Sequence, residues 1–178
     1  MTGAPMWSDD IYRAFQEAGV RQAAFVPDAG HKHLIAACRR DPAMAAIPLT
    51  TEEEGVALLA GAWLGGQRGV LLMQSSGVGN CINMLAMTKT CRFPLAMFVT
   101  MRGQWHEFNP WQMTMGQTTE AALTAAGVVV DTVDDPADVG SRAAASLNAA
   151  FVGGQAVALL LHQRLFPVKS FGAGGQGR

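Results

Sequence analysis

Short apolar runs alternate with amphipathic segments along most of the chain. Residues 70–73 are apolar without interruption, which is typical of a strand covered on both faces of a sheet. Residues 8–18 differ, because Ile11, Phe15 and Ala18 recur there at the spacing of one helix face. The alternation of the two patterns predicts strands interleaved with helices.

Six strands and the helices between them follow from this pattern. The predicted strands are residues 23–26, 47–50, 70–73, 93–100, 128–133 and 156–161. The predicted helices are residues 8–18, 31–39, 52–64, 118–126 and 136–151, with another containing residues 84–88. Strands that alternate with helices form parallel sheets. The sequence therefore predicts an α/β fold: a doubly wound, about six-stranded parallel sheet with helices on both faces.

Length and composition indicate one domain that binds another chain. The 178 residues suit a single domain over residues 1–178, with a core at about 7–166 and a glycine-rich tail at 171–178. Apolar residues make up 49% of the chain and charged residues 15%, against about a quarter in ordinary domains. We expect part of the apolar excess to be buried in a hetero-oligomer.

Charge and cysteine usage exclude several classes of function. A net charge of -1 offers no basic field for nucleic acid, and no apolar run approaches the length of about 20 residues that crosses a bilayer. Cys38, Cys81 and Cys91 show neither disulfide nor zinc-ligand spacing. We expect a cytoplasmic protein with no membrane contact, no nucleic-acid partner and no metal site of its own.

Polar residues follow the first predicted strand. Pro27 and Asp28 begin a turn, and His31 and His33 come directly after it. In open parallel sheets, ligands bind at this carboxyl edge. The alternative is that Asp28 caps the next helix and the histidines are solvated.

Three glutamates follow the second predicted strand. Thr51 and Glu54 have the spacing of a capping box, and acidic side chains favour the positive end of a helix dipole. This ordinary explanation covers Glu53 and Glu54 and leaves Glu52 open.

Two predicted loops complete the same edge. Residues 74–80 are rich in serine and glycine and favour an anion site at a helix N-terminus, although they lack the third small residue of a dinucleotide-binding fingerprint. Residues 101–115 form a long loop, a length that usually carries function or covers a site. Its polar and aromatic members are Arg102, Trp105, His106, Glu107, Trp111 and Gln112.

Three motifs at these strand ends carry a family resemblance. They are VPDAGH at residues 26–31, EEEGVALLAG at 52–61 and MQSSGVGN at 73–80. Together they resemble the pyrimidine-binding domain of thiamine-diphosphate enzymes, in particular the α subunit of sulfopyruvate and phosphonopyruvate decarboxylases, over about residues 7–166. Counting back from Gly61, the resemblance places the family's catalytic glutamate at Glu52, where it would hydrogen-bond the pyrimidine nitrogen of the cofactor.

The resemblance also implies the rest of the site. The implied cofactor-binding residues are Glu52, Pro27, Gln74, Ser75, Ser76, Gly77 and Asn80. The implied substrate-binding residues are Asp28, His31, Arg102 and Gln112. A proton shared between Glu52 and the pyrimidine ring would activate the thiazolium carbon, which then attacks a 2-oxo acid.

A motif that the chain lacks implies a partner. In the family, a GDG motif holds magnesium and the diphosphate, and this sequence contains none. The resemblance therefore implies a separate diphosphate-binding β subunit that supplies the magnesium site. The expected activity is decarboxylation of a 2-oxo acid, foremost 3-sulfopyruvate to sulfoacetaldehyde, with carboligation or oxidation as related outcomes. The alternative from another class is a stand-alone ligand-binding or regulatory domain in which the three glutamates form only a helix N-terminus.

Overall fold

A parallel sheet forms the centre of the molecule in the computed structural model, which describes residues 7–168. Its six strands within that range are β1 (Val20–Phe25), β2 (Ala45–Pro48), β3 (Arg68–Gln74), β4 (Leu95–Thr100), β5 (Val129–Val133) and β6 (Ala156–Leu161). They lie in the order β2-β1-β3-β4-β6-β5, and every neighbouring pair is parallel. The prediction of a six-stranded parallel sheet is confirmed.

Helices cover both faces of the sheet. They are α1 (Trp7–Glu17), α2 (Lys32–Arg40), α3 (Glu52–Leu64), α4 (Ser75–Cys81), α5 (Ala86–Thr90), α6 (Met113–Ala125) and α7 (Val139–Phe151), with 3-10 helices at Pro110–Gln112 and Gln163–Leu165. Helices α1, α2 and α7 pack on one face, and α3 to α6 on the other. None of the helices within residues 7–168 is long and apolar enough to cross a membrane.

Each face of the sheet has its own core. Along β3, Val70 and Leu72 point into the core beneath α1, α2 and α7, whereas Leu71 and Met73 point into the other. The strand is buried on both faces, which explains why its sequence is apolar without interruption. In the first core, the rings of Phe15 and Phe98 meet edge to face at 4.9 Å.

The strand order creates a crevice between β1 and β3. The chain continues from β1 to β2 on one side of it and then crosses to β3 on the other. Ligands of open α/β sheets bind where the order reverses in this way, beyond the carboxyl ends of the strands. The segments after β1 and β3, which contain Asp28 and Ser75, therefore flank this crevice.

The predicted loop at residues 74–80 is wrong in its local structure. Helix α4 begins at Ser75, directly after β3. Serine and glycine are poor helix formers, so local propensity favours a loop. Tertiary packing outweighs this propensity, because Ser75, Val78 and Cys81 are all fully buried.

Other boundaries differ by a few residues. Helix α6 begins at Met113 instead of residue 118, so the long loop is shorter than predicted. The predicted capping box does not form: Thr51 is the N-cap but makes no side-chain cap, and Glu54 Oε2 accepts its 2.8 Å hydrogen bond from Thr50 N, one residue before the N-cap. Asp28 caps a turn and not helix α2, since its carboxylate accepts from Gly30 N at 3.0 Å. The predicted tail at 171–178 lies outside the described residues.

Candidate active site

Glu52 stands apart from the two glutamates that follow it. It is the first residue of α3 and is 8% exposed, whereas Glu53 and Glu54 are exposed to solvent. Asn80 Nδ2 donates a 2.8 Å hydrogen bond to Glu52 Oε2. The positive end of the α3 dipole also favours a carboxylate at this position. A helix N-terminus alone explains the exposed pair but does not explain a buried, hydrogen-bonded Glu52.

Gly77 forms a cradle for the Glu52 carboxyl group. A Cβ atom on Gly77 would overlap Cδ and Oε1 of Glu52, so only glycine allows α4 to approach so closely. Cys81 lies one turn further along α4, where burial, and then the charge of Glu52, raise the pKa of its thiol to about 12. Cys81 is therefore a neutral core residue and not a thiolate nucleophile.

Asp28 joins the ends of three central strands. Its Oδ2 accepts a 2.7 Å hydrogen bond from Thr100 Oγ1 at the end of β4, and its Oδ1 accepts one of 3.2 Å from Gln74 Nε2 at the end of β3. Gln74 Oε1 in turn accepts from Ser76 Oγ at 2.9 Å. The structure thus brings Asp28 of the first motif against Gln74 of the third, and Pro27 directly precedes Asp28.

A pocket of about 120 Å³ opens beside Asp28 at this edge. Its walls include Asp28, Gly30, Thr100, Arg102, Trp105 and Phe166. Glu52 does not line the pocket. The hydrogen bonds from Asp28 through Gln74 to Ser76 link the pocket to α4, which also carries the Gly77 cradle. The candidate site therefore has two connected parts, a carboxylate cradle and a pocket.

Arg102 is held by an ion pair within its own loop. Its Nε and Nη2 donate to the two carboxylate oxygens of Glu107 at 2.7 and 2.6 Å. This bidentate contact is the first cause of the depressed pKa of Glu107, which lies at about 2. The main-chain nitrogen of Arg102 donates to Ser75 Oγ at 3.2 Å, which ties the loop to the start of α4.

The contacts of Glu107 predict that its contribution to the folding stability is lost in acid. Because the pKa of Glu107 falls from 4.5 to about 2 on folding, its contribution is complete above pH 4.5 and declines as the pH falls through that value towards 2. We expect the Tm advantage of the native chain over Glu107→Gln to be constant from pH 7 to pH 5 and to shrink below pH 4.5. Thermal unfolding between pH 7 and pH 3 measures it.

Glu120→Gln is the matched control for this experiment, because Glu120 is exposed on α6. Its Tm should follow that of the native chain at every pH. If the Tm difference between the native chain and Glu107→Gln were the same at pH 7 and pH 3, the stabilising role of the ionised Glu107 carboxylate would be contradicted.

Two predicted substrate residues lie outside the pocket wall. His31 is fully buried, and its Nε2 donates to Phe98 O at 3.0 Å. Burial lowers the pKa of His31, which keeps the ring neutral, and Nδ1 has no hydrogen-bond partner within residues 7–168. Gln112 ends a 3-10 helix, and its buried Oε1 likewise has no partner among those residues. A substrate contact for either residue stays a prediction.

Residues near the far end of the chain complete the pocket, and the motifs did not indicate them. Gln163 Oε1 accepts from the main-chain nitrogens of Gln104 and Trp105 at 2.9 and 3.0 Å. Phe166 forms part of the pocket wall. Neither belongs to a recognisable pattern, so only the position of β6 beside β4 could have indicated them. Across the described residues, no three His, Cys, Asp or Glu side chains cluster as metal ligands.

The fold and the site define a doubly wound domain whose ligand site lies at the carboxyl edge of a parallel sheet. A buried carboxylate at a helix N-terminus faces a glycine cradle at that edge. The chain belongs to the family described as the thiamine pyrophosphate enzyme, N-terminal TPP binding domain, whose model matches residues 6–127.

Several relatives carry the name sulfopyruvate decarboxylase subunit alpha. The protein from Methanothermobacter thermautotrophicus is 32% identical over 155 residues, which are 86% of this chain and 94% of the relative. The protein from Methanococcus maripaludis is 37% identical over 117 residues, which are 65% of this chain and 70% of the relative. A phosphonopyruvate decarboxylase from Streptomyces viridochromogenes is 33% identical over 72% of this chain and 33% of its own length.

A solved structure shares the fold. It is a 2-oxoglutarate:ferredoxin oxidoreductase from Magnetococcus marinus, with a TM-score of 0.68 and 14% sequence identity. The match covers 89% of this chain and 29% of the other. At this identity the likeness supports the architecture alone.

Proposed function

We propose that the chain is the α subunit of a heteromeric thiamine-diphosphate-dependent 2-oxo-acid decarboxylase that converts 3-sulfopyruvate to sulfoacetaldehyde and carbon dioxide. The observation that carries the proposal is the buried Glu52 carboxyl group against Gly77, at the carboxyl edge of a sheet of this family. The names of the relatives indicate the substrate.

In this proposal, the pyrimidine ring of thiamine diphosphate binds beside Glu52 at the crevice between β1 and β3. Glu52 would share a proton with a ring nitrogen, and Asn80 holds its Oε2 so that the carboxyl group keeps one orientation. Pro27, Gln74 and Ser75 to Gly77 would line the crevice around the cofactor. When bound, the cofactor supplies a carbon nucleophile and takes up the electron pair that carbon dioxide leaves behind.

The other half of the site belongs to a β subunit in this proposal. That subunit would hold the diphosphate and magnesium, for which this sequence has no GDG motif. Exposed apolar side chains support a protein contact on the side of α4 and α6: Trp111 is 84% exposed, and Ile82, directly after α4, is 38% exposed. The names of the relatives, which call them subunits, point the same way.

Reconstitution tests the proposed function. The chain is co-expressed with the product of a neighbouring gene that carries a GDG motif, and carbon dioxide release is measured from 3-sulfopyruvate, phosphonopyruvate and pyruvate. We expect release that needs both chains, thiamine diphosphate and magnesium, and that falls to background when any of them is omitted. A stable monomer that forms no complex and never supports decarboxylation would favour the stand-alone ligand-binding domain instead.

A further inference from the structure

Glu107 is the single acidic side chain of the loop at residues 101–112, and it accepts many hydrogen bonds. Besides the bidentate pair with Arg102, it accepts hydrogen bonds from three main-chain nitrogens and one side chain. These donors are Gly103 N at 3.1 Å, Phe108 N at 3.1 Å, Asn109 N at 3.0 Å and Gln163 Nε2 at 3.0 Å. Its side chain is 2% exposed. The loop is therefore folded around this one carboxylate and fastened by it to the segment after β6.

Backbone geometry shows how firmly the loop is held. His106 adopts a φ of 48°, a left-handed conformation that is costly for a residue with a side chain and persists only where the surroundings impose it. Gly103 has a φ of 72°, and a Cβ atom there would lie 2.8 Å from Gln112 O. Gly116 of α6 similarly leaves no room for a Cβ atom against the carbonyl oxygen of Arg102. The loop thus packs closely on the start of α6.

Only the positively charged member of the ion pair belongs to the pocket wall. Arg102 lines the pocket, whereas Glu107 does not. Glu107 engages Nε and Nη2, which leaves Nη1 outside the bidentate contact, and the ring of Phe108 lies 5.7 Å from the guanidinium carbon. The Arg102 side chain is 15% exposed, so its guanidinium is both fixed and accessible, and it is preorganised for a sulfonate or carboxylate.

We propose that Glu107 is a positioning residue that holds the Arg102 guanidinium in the pocket wall, where it binds the distal acid group of an anionic 2-oxo acid. This inference rests on the proposed function and specifies how its substrate is selected. The volume of about 120 Å³ suits a small organic acid.

The other charged groups at the pocket place the acid group near Arg102. Asp28 is a carboxylate in the pocket wall, and its oxygens are already engaged by Thr100, Gln74 and Gly30 N. Its charge repels an anion from its own part of the pocket. The guanidinium of Arg164 lies 4.9 Å from the ring of Trp105, which lines the pocket, and adds positive potential that Asp134, 3.9 Å from Arg164, partly offsets.

Glu107→Gln in the reconstituted complex tests the proposal. The amide retains the size of the side chain but loses the charge that fixes Arg102. We expect the KM for 3-sulfopyruvate to rise about tenfold, as for the loss of one charge-assisted hydrogen bond, with kcat within about twofold. The KM for pyruvate, which has no distal acid group, should not change. Glu107→Asp should recover part of the loss, and Glu17→Gln, which changes an exposed glutamate at the end of α1 on the other face of the sheet, should match the native complex.

Two results would overturn the positioning role. One is a KM for 3-sulfopyruvate that is unchanged or lower in Glu107→Gln. The other is a KM for pyruvate that rises as much as the KM for 3-sulfopyruvate. If Glu107→Gln does not fold, Arg102→Lys takes its place, because lysine keeps the charge but loses the fork geometry, and the same selective rise is expected.

A binding measurement separates this inference from the proposed function. Calorimetric titration of the native complex with sulfoacetate should give a Kd that weakens about tenfold in Glu107→Gln, whether or not the complex decarboxylates anything. Equal sulfoacetate affinity in the two complexes, or none in the native complex, would overturn the inference. A complex that binds sulfoacetate as expected but releases no carbon dioxide would refute the proposed function alone.

Discussion

Glu52→Gln is expected to reduce decarboxylation by the reconstituted complex by roughly two to four orders of magnitude, the range for loss of a proton-transfer group. Glutamine has nearly the same shape, so it can still occupy the space beside Gly77 and meet Asn80. It cannot exchange a proton with a ring nitrogen. The change should therefore appear in kcat and leave the fold intact, which steady-state carbon dioxide release and thermal unfolding measure together.

Glu53→Gln provides the matched control. It removes the same charge from the same first turn of α3, but its side chain is exposed. If the glutamates served only as a helix N-terminus, the two variants would lose the same small amount of stability, about 0.3–1 kcal/mol, and neither would lose activity. Equal activities of Glu52→Gln and Glu53→Gln would therefore exclude the catalytic role.

Gly77→Ala should damage both stability and activity. The added methyl group would overlap the Glu52 carboxyl group, and the helix that carries it is packed on the sheet. Forcing an extra methyl group into a filled core costs about 1–3 kcal/mol. Displacement of a catalytic group by about 1 Å can reduce the rate a hundredfold. Denaturant unfolding and carbon dioxide release measure the two effects.

Gly61→Ala is the control for this substitution, because Gly61 lies inside α3 with open space around its Cβ position. Alanine there should leave activity unchanged and stabilise the helix by about 0.5–1 kcal/mol. Full activity in Gly77→Ala would show that catalysis does not require the close approach of α4 to Glu52.

The strands were predictable because burial on both faces of the sheet requires consecutive apolar residues. Leu71 and Met73 alternate with Val70 and Leu72 between two cores, and a strand covered on both faces is apolar throughout. Helix α4 was not predictable from propensity. Its serines and glycines favour a loop, and only the packing of Gly77 on Glu52, 25 positions earlier in the sequence, explains why glycine stands in a helix.

The site was predictable where a motif ends a strand. The family resemblance indicated Glu52, Asp28 and Gln74, and the structure joins the last two by a hydrogen bond. The state of Arg102 was not predictable, because its pairing depends on a loop fastened by Gln163. Contacts between residues so far apart in the sequence follow from the order of β4 and β6 in the sheet, which local patterns do not specify.

Exchange of the thiazolium C2 proton of thiamine diphosphate tests the central role of Glu52 most directly. Nuclear magnetic resonance can follow this exchange in deuterated buffer with no 2-oxo acid present, so substrate identity does not enter. We predict that the native complex accelerates exchange far above the rate of the free cofactor, and that Glu52→Gln loses roughly two or more orders of magnitude of that acceleration. Equal exchange rates in the native and Glu52→Gln complexes, both with cofactor bound, would contradict the account.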